Sequence, residues 1–126
     1  MRKVTQTICK ALMSGEPKSI GNTSTDGETM FLHGNPIARL KDKNLILSLA
    51  GWNTVTTRER INGLLRSMGL NCSVRQWKGE PYVDRPSKNQ AIPLIGHLEV
   101  AFKSGAYIVS FRYDSMEEDV AFKHMF

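Results

Sequence analysis

Apolar residues recur four apart at the start of the chain, at Val4, Ile8 and Leu12 with Ala11 beside them. Gly15 and Pro17 then break the pattern, which predicts a helix over residues 2–14. From residue 19 the period shortens to two and turn residues recur. Residues 19–25 read as a strand, Asp26-Gly27 as a two-residue hairpin turn, and residues 28–33 as the partner strand, with Met30 and Leu32 on one face. Gly34-Asn35-Pro36 turns the chain into a short strand over residues 37–40, and the polar run Lys41-Asp42-Lys43-Asn44 makes the next turn. Leu45-Ile46-Leu47-Ser48-Leu49 is the most apolar run, and is expected at the centre of its sheet.

The period then lengthens again. Ile61, Leu64, Leu65 and Met68 fall at i, i+3, i+4 and i+7, the stripe of an amphipathic helix. Thr56 and Glu59 have capping-box spacing, so the helix is expected to begin there, and Gly69 is placed to end it. Residues 70–77 alternate again, with Leu70, Cys72 and Val74 inward, and Lys78-Gly79 turns into a short strand over residues 81–83. Residues 84–93 read as one long polar loop. Residues 97–103 and 106–113 read as a hairpin about Ser104-Gly105, with Leu98, Val100 and Phe102 on one face. Ser115 with Glu118 marks a short C-terminal helix. The predicted class is α+β: a single domain over residues 1–126, with a small curved antiparallel sheet or barrel-like core flanked by two to three short helices.

Composition narrows the function classes. The chain has 126 residues, enough for one core. It carries 17 Lys+Arg against 12 Asp+Glu, a net charge of +5, so a phosphate-bearing partner is favoured without being required. The basic residues are spread out with no dense run. Cys9 and Cys72 have no CxxC spacing and read as reduced thiols of a cytosolic protein. The N-terminal residues lack a signal-peptide apolar region, and no apolar run approaches membrane-spanning length, so a cytoplasmic protein without a membrane partner is expected.

Catalytic patterns are missing. His33, His97 and His124 are far apart, in no metal-ligand spacing, and no phosphate-loop, dinucleotide or nucleophile-elbow motif occurs. Nothing beyond proximity supports an acid–base pair such as Glu80 and Asp84. A binding protein with no enzymatic activity, cofactor or metal is expected. Its candidate chemistry lies where the polar residues 51–57 enter the second helix. Two hydroxyls (Thr56, Thr57), unpaired backbone N–H groups and two arginines (Arg58, Arg60) have the makings of an anion cradle. The plainer reading keeps the threonines as caps and the arginines as solvated charges.

Three stretches carry a resemblance: Gly-Asn-Thr at 21–23, Leu-His-Gly-Asn-Pro-Ile-Ala at 32–38 and Ala-Gly-Trp-Asn-Thr-Val-Thr-Thr-Arg-Glu-Arg-Ile-Asn-Gly-Leu at 50–64. Over residues 18–83 the chain resembles a group of small phage-encoded proteins, and within it the Thoeris anti-defence sponges, which capture cyclic ADP-ribose-type signals made by bacterial TIR enzymes. The resemblance implies a homo-oligomer in the host cytoplasm during infection, with nucleotide pockets between protomers. It also implies sequestration of a cyclic nucleotide, cyclic ADP-ribose-type or a cyclic oligonucleotide, without turnover.

Such a ligand needs guanidinium and N–H donors for its phosphates, an aromatic face for its base and amides for its ribose. Arg58, Arg60, Thr56 and Thr57 are the candidate phosphate ligands, with Arg39 and Arg85 secondary. Trp77 and Tyr82 are candidates for base stacking, or for sheet packing. Asn35 and Asn89 are candidates for ribose or base edges, or for local turn bonds. Trp52 is expected to pack under the helix. Two other classes stay open: a small phage inhibitor that binds a host defence protein through its surface, and a single-stranded nucleic-acid module. The modest charge and the lack of a basic stripe count against the last.

Overall fold

Helix α1 (Lys3–Met13) and helix α2 (Val55–Ser67) form where the four-residue spacing predicts them, and the two-residue alternation between and after them becomes, among the described residues, ten strands. The computed structural model describes residues 1–103 and 107–113. The predicted Ser104-Gly105 turn and the predicted C-terminal helix lie outside those residues. Strands β1 (Lys18–Ile20), β2 (Thr23–Thr25), β3 (Thr29–Leu32), β4 (Asn35–Lys41) and β5 (Asn44–Ser48) run as a meander of antiparallel neighbours. Then come α2 and a small antiparallel sheet of β6 (Ser73–Trp77), β7 (Glu80–Arg85) and β8 (Gln90–Pro93). The chain returns as β9 (His97–Lys103), pairs with β5, and closes a last hairpin with β10 (Tyr107–Tyr113). The seven-stranded order β1-β2-β3-β4-β5-β9-β10 is an open curved sheet, the first of the two predicted forms, and α2 with the small sheet is an insertion between β5 and β9.

Strand β5 sits between β4 and β9. Its Leu45, Ile46 and Leu47 are all fully buried, as a strand covered on both faces requires. Leu45 and Leu47 join the main core with Ile8 and Leu12 of α1, Ile61, Leu64 and Leu65 of α2, and Val74 and Val83 of the small sheet.

Several boundaries differ from the sequence expectation. Residues 19–25 form two short strands, because Gly21 takes a left-handed φ of 60° and turns the chain. The Asp26-Gly27 turn is wider than two residues, with Thr25 paired to Met30. The Asp26 carboxylate accepts the N–H groups of Glu28 and Thr29 at 2.9 and 2.8 Å. The tight turn after β3 is His33-Gly34, both left-handed (φ 52° and 79°), so Asn35 and Pro36 belong to β4. Helix α2 starts earlier than predicted: Thr54, not Thr56, is its cap, accepting the Thr57 N–H at 3.1 Å. The largest correction concerns residues 84–93, which form no long loop. Strand β7 runs to Arg85, a 3₁₀ turn spans Pro86–Lys88, and left-handed Asn89 redirects the chain into β8.

Helix α2 is clamped on both sides. Toward α1, the Cβ that Gly63 lacks would overlap the Thr5 methyl group, so the helices approach as closely as backbone allows. Toward the small sheet, Asn62 acts as a surrogate strand: its amide donates to the Val74 carbonyl at 2.9 Å, and its Oδ1 accepts the Val74 N–H at 2.6 Å. The edge of β6 facing the helix is thereby satisfied.

Candidate functional site

After Ser48, Ala50 and Gly51 both adopt left-handed backbone (φ 52° and 82°), an uncommon choice for alanine, and swing the chain out of the sheet. The Trp52 N–H returns to the Leu49 carbonyl at 2.8 Å, and Thr54 then caps α2. The exit from β5, the His33-Gly34 turn and the head of α2 thus enclose a cleft of about 410 Å³. Leu32, Ile37, Leu49 and Ala50 make its apolar wall. His33, Asn35, Thr54, Thr56 and Thr57 supply the polar groups, and Trp52 stands at the rim. Thr57 is buried and its hydroxyl hydrogen-bonds that of Thr54 at 2.8 Å. The Val55 and Thr56 N–H groups have no acceptor among the described residues, as expected of the first turn of a helix. An apolar hollow with a few convergent polar groups is the form that small-molecule sites take.

Of the residues predicted from sequence, Asn35, Thr56 and Thr57 meet in this cleft. The others are elsewhere. Arg58 leaves α2 on another side, where its guanidinium donates to Asn53 Oδ1 and to Gln76 Oε1, the latter at 2.9 Å. Arg60 is neither solvated nor open to a ligand: at 4% exposure it lies between the helices and β2. It donates to Thr5 and Thr23, each at 2.9 Å, and pairs with Glu59. Arg39 pairs with Glu28 at 3.3 Å, and Arg85 donates to the Ile108 carbonyl at 3.2 Å beside the Phe111 ring. Asn89 is an exposed turn residue. Trp77 and Tyr82 project from the outer face of the small sheet, on the rows opposite Glu80 and Arg75.

Sequence reasoning passed over His33, Ala50 and Thr54, and Trp52 does not pack under the helix, being 62% exposed. A hydroxyl one residue before the first apolar helical position was the available signal for Thr54. Nothing local signalled that the turn after β3 comes up beside it.

The charges behind the cleft are settled internally. Burial works to raise the Glu59 pKa, but hydrogen bonds from Thr5 and Arg60 and the Arg60 charge outweigh it and hold the carboxyl below its usual value. Asp26 is likewise held low, chiefly by the Thr29 N–H. Burial pushes both thiols, Cys9 and Cys72, up to about 11, so neither is a nucleophile at neutral pH.

Fold and site together define a small α+β protein with an open antiparallel sheet, a helix-bearing insertion and a cleft where the two join. No described helix is long and apolar enough to cross a membrane. The chain matches the Kyanoviridae Gp96 protein family over residues 1–109 and belongs to it, which makes it a small phage protein. No curated protein and no solved structure matches it.

Proposed function

We propose that this phage protein acts by binding and sequestering a small anionic ligand of nucleotide type, without turnover, in the cleft at the head of α2. The carrying observation is the cleft itself: about 410 Å³, apolar along one wall, with an indole at its rim and the Thr54, Thr56 and Thr57 hydroxyls among its polar groups. An adenine-sized ring suits the Leu32–Leu49 wall and the Trp52 face. A phosphate suits the N–H group and hydroxyl of Thr56, because they lie at the positive end of the helix dipole. The anion site is therefore built from backbone and hydroxyl donors, and the arginines first considered for it serve elsewhere. The resemblance to cyclic ADP-ribose sponges fits this ligand class, and counter-defence by capture of a cyclic nucleotide signal is the activity it suggests. A second protomer laid over exposed Trp52 would close the mouth, in keeping with a shared pocket.

The test is mass spectrometry of small molecules released on heating protein purified from cells that make TIR-derived signals, paired with calorimetry using cyclic ADP-ribose isomers and cyclic oligonucleotides. Intact nucleotide should be released, and Thr56→Val with Trp52→Ala should abolish the heat of binding. No released nucleotide and no heat with either ligand class would leave surface inhibition of a host protein as the better reading.

A further inference from the structure

Away from the cleft, along the side of α2 that faces the small sheet, run two contiguous hollows of about 340 and 390 Å³. They share Asn62, Arg66 and Val74, so they form one groove between α2 and β6. Arg58 lines one end and Arg75 the other, with Arg66 between. Arg58 and Arg66 are eight residues apart on one helix, a rise of about 12 Å. Residues dispersed in the sequence are thus gathered into a basic stripe.

The acids nearby weaken this stripe without cancelling it. Glu59, in the groove wall, is already paired with Arg60 and hydrogen-bonded by Thr5, and Asp84 pairs with Arg75 at 3.6 Å. Glu80 lies across from Trp77. Arg66 is exposed and has no partner among the described residues. Beside the groove, the outer face of the small sheet carries Arg75 directly opposite Tyr82, with Trp77 two residues further along β6. Arg75 and Trp77 are 72% and 67% exposed, and Lys78 Nζ stands 5.8 Å from the indole centroid.

We propose that this groove and the sheet face beside it form a binding surface for single-stranded nucleic acid, with phosphates along Arg58, Arg66 and Arg75 and bases stacked on Trp77 and Tyr82. Guanidinium forks match phosphate oxygens two at a time, as they do carboxylates, so two other features favour that occupant over an acidic protein surface. An exposed indole next to cations, with a half-buried phenol ring on the same face, is a platform on which bases stack regardless of sequence. The stripe also lies beside the rings, as a backbone with splayed bases requires. The surface does not include the cleft residues, so it stands or falls independently of the proposed sequestration.

The experiment is fluorescence anisotropy of the full chain with labelled twelve-nucleotide oligo-dT and oligo-U, across a salt series and with duplex and mononucleotide competitors. Binding should weaken as salt rises and be displaced by single strands better than by duplex or mononucleotide. Trp77→Ala and Arg66→Ala should each weaken binding by roughly fivefold to hundredfold, with melting temperature unchanged because both side chains are exposed. Thr56→Val, in the cleft, should bind like the parent. The proposal is overturned by no binding at low salt, by equal competition from duplex, or by Trp77→Ala and Arg66→Ala variants that bind normally.

Discussion

Arg60 shows how far one side chain's role depends on where its helix faces. A helical arginine in a polar stretch would ordinarily be solvated and its loss nearly silent. Here the guanidinium joins α1, α2 and β2 through Thr5, Thr23 and Glu59. Arg60→Ala would leave the Glu59 charge half-buried without its partner, and should cost about 3–5 kcal/mol in denaturant unfolding. Arg60→Lys should recover only part, since an ammonium cannot reach the same acceptors at once. Acid sensitivity follows from the carboxyls. Glu59 and Asp26 have folded pKa values below their ordinary 4.5 and 3.8, so their stabilisation is complete above those values and is lost as pH falls through the lowered ones. Melting temperature should therefore drop below about pH 4.5, and the drop should be shallower in Asp26→Asn, which keeps an acceptor but does not titrate. The raised thiols make a third expectation: at neutral pH a disulfide reagent should label Cys9 and Cys72 far more slowly in the folded than in the unfolded protein.

At the scale of elements, the α1–α2 contact reverses an ordinary rule. Gly→Ala within a helix normally stabilises by about 0.5–1 kcal/mol. At position 63 the added methyl meets the Thr5 side chain, so Gly63→Ala should instead destabilise by about 1–3 kcal/mol, read from urea unfolding. Thr5→Ser removes the offending methyl while keeping the hydroxyl that bonds Glu59 and Arg60. The double variant should therefore be more stable than Gly63→Ala alone, a non-additivity expected only of residues in contact. Leu64→Ala, on the buried stripe of the same helix, should cost about 2–5 kcal/mol whatever happens at position 63.

At the scale of the molecule, the exposed large apolar residues are unevenly placed. Asn53 donates to Gln76 and to the Gly79 carbonyl, and the Leu94 N–H to the Pro81 carbonyl. Those bonds bring the 50–55 loop, the 78–79 turn and the 94–96 connection to one end, where Trp52, Val55, Trp77 and Ile95 are all more than half exposed. A concentration of this kind is the pattern expected where other molecules cover a surface. A second copy over Trp52 and Val55 predicts a dimer or larger species by sedimentation at micromolar concentration, shifted toward monomer in the Trp52→Ser, Val55→Ser double variant. A parent protein sedimenting only as monomer would count against a pocket shared between protomers.

What the sequence determined by itself was whatever rests on local periodicity: the two helices, the buried stripe of Ile61, Leu64 and Leu65, the central place of Leu45 to Leu47, and the antiparallel α+β class. Turns that depend on a single backbone angle were legible only in outline. Asn89 takes the left-handed conformation and makes a hairpin of residues 84–93, whereas composition alone reads them as a polar loop. The site was the least legible part, because its members come from separate elements. Thr56 and Thr57 could be named as candidates because a helix start has a local signature; His33 and Trp52 could not, because only the pairing of β3 with β4 and the exit from β5 set them beside the same cleft. The arginines divided on the same ground. Their charge is written in the chain, but whether a guanidinium is buried against Thr5 and Thr23, like Arg60, or left exposed in a groove, like Arg66, is decided by which face of α2 the core claims.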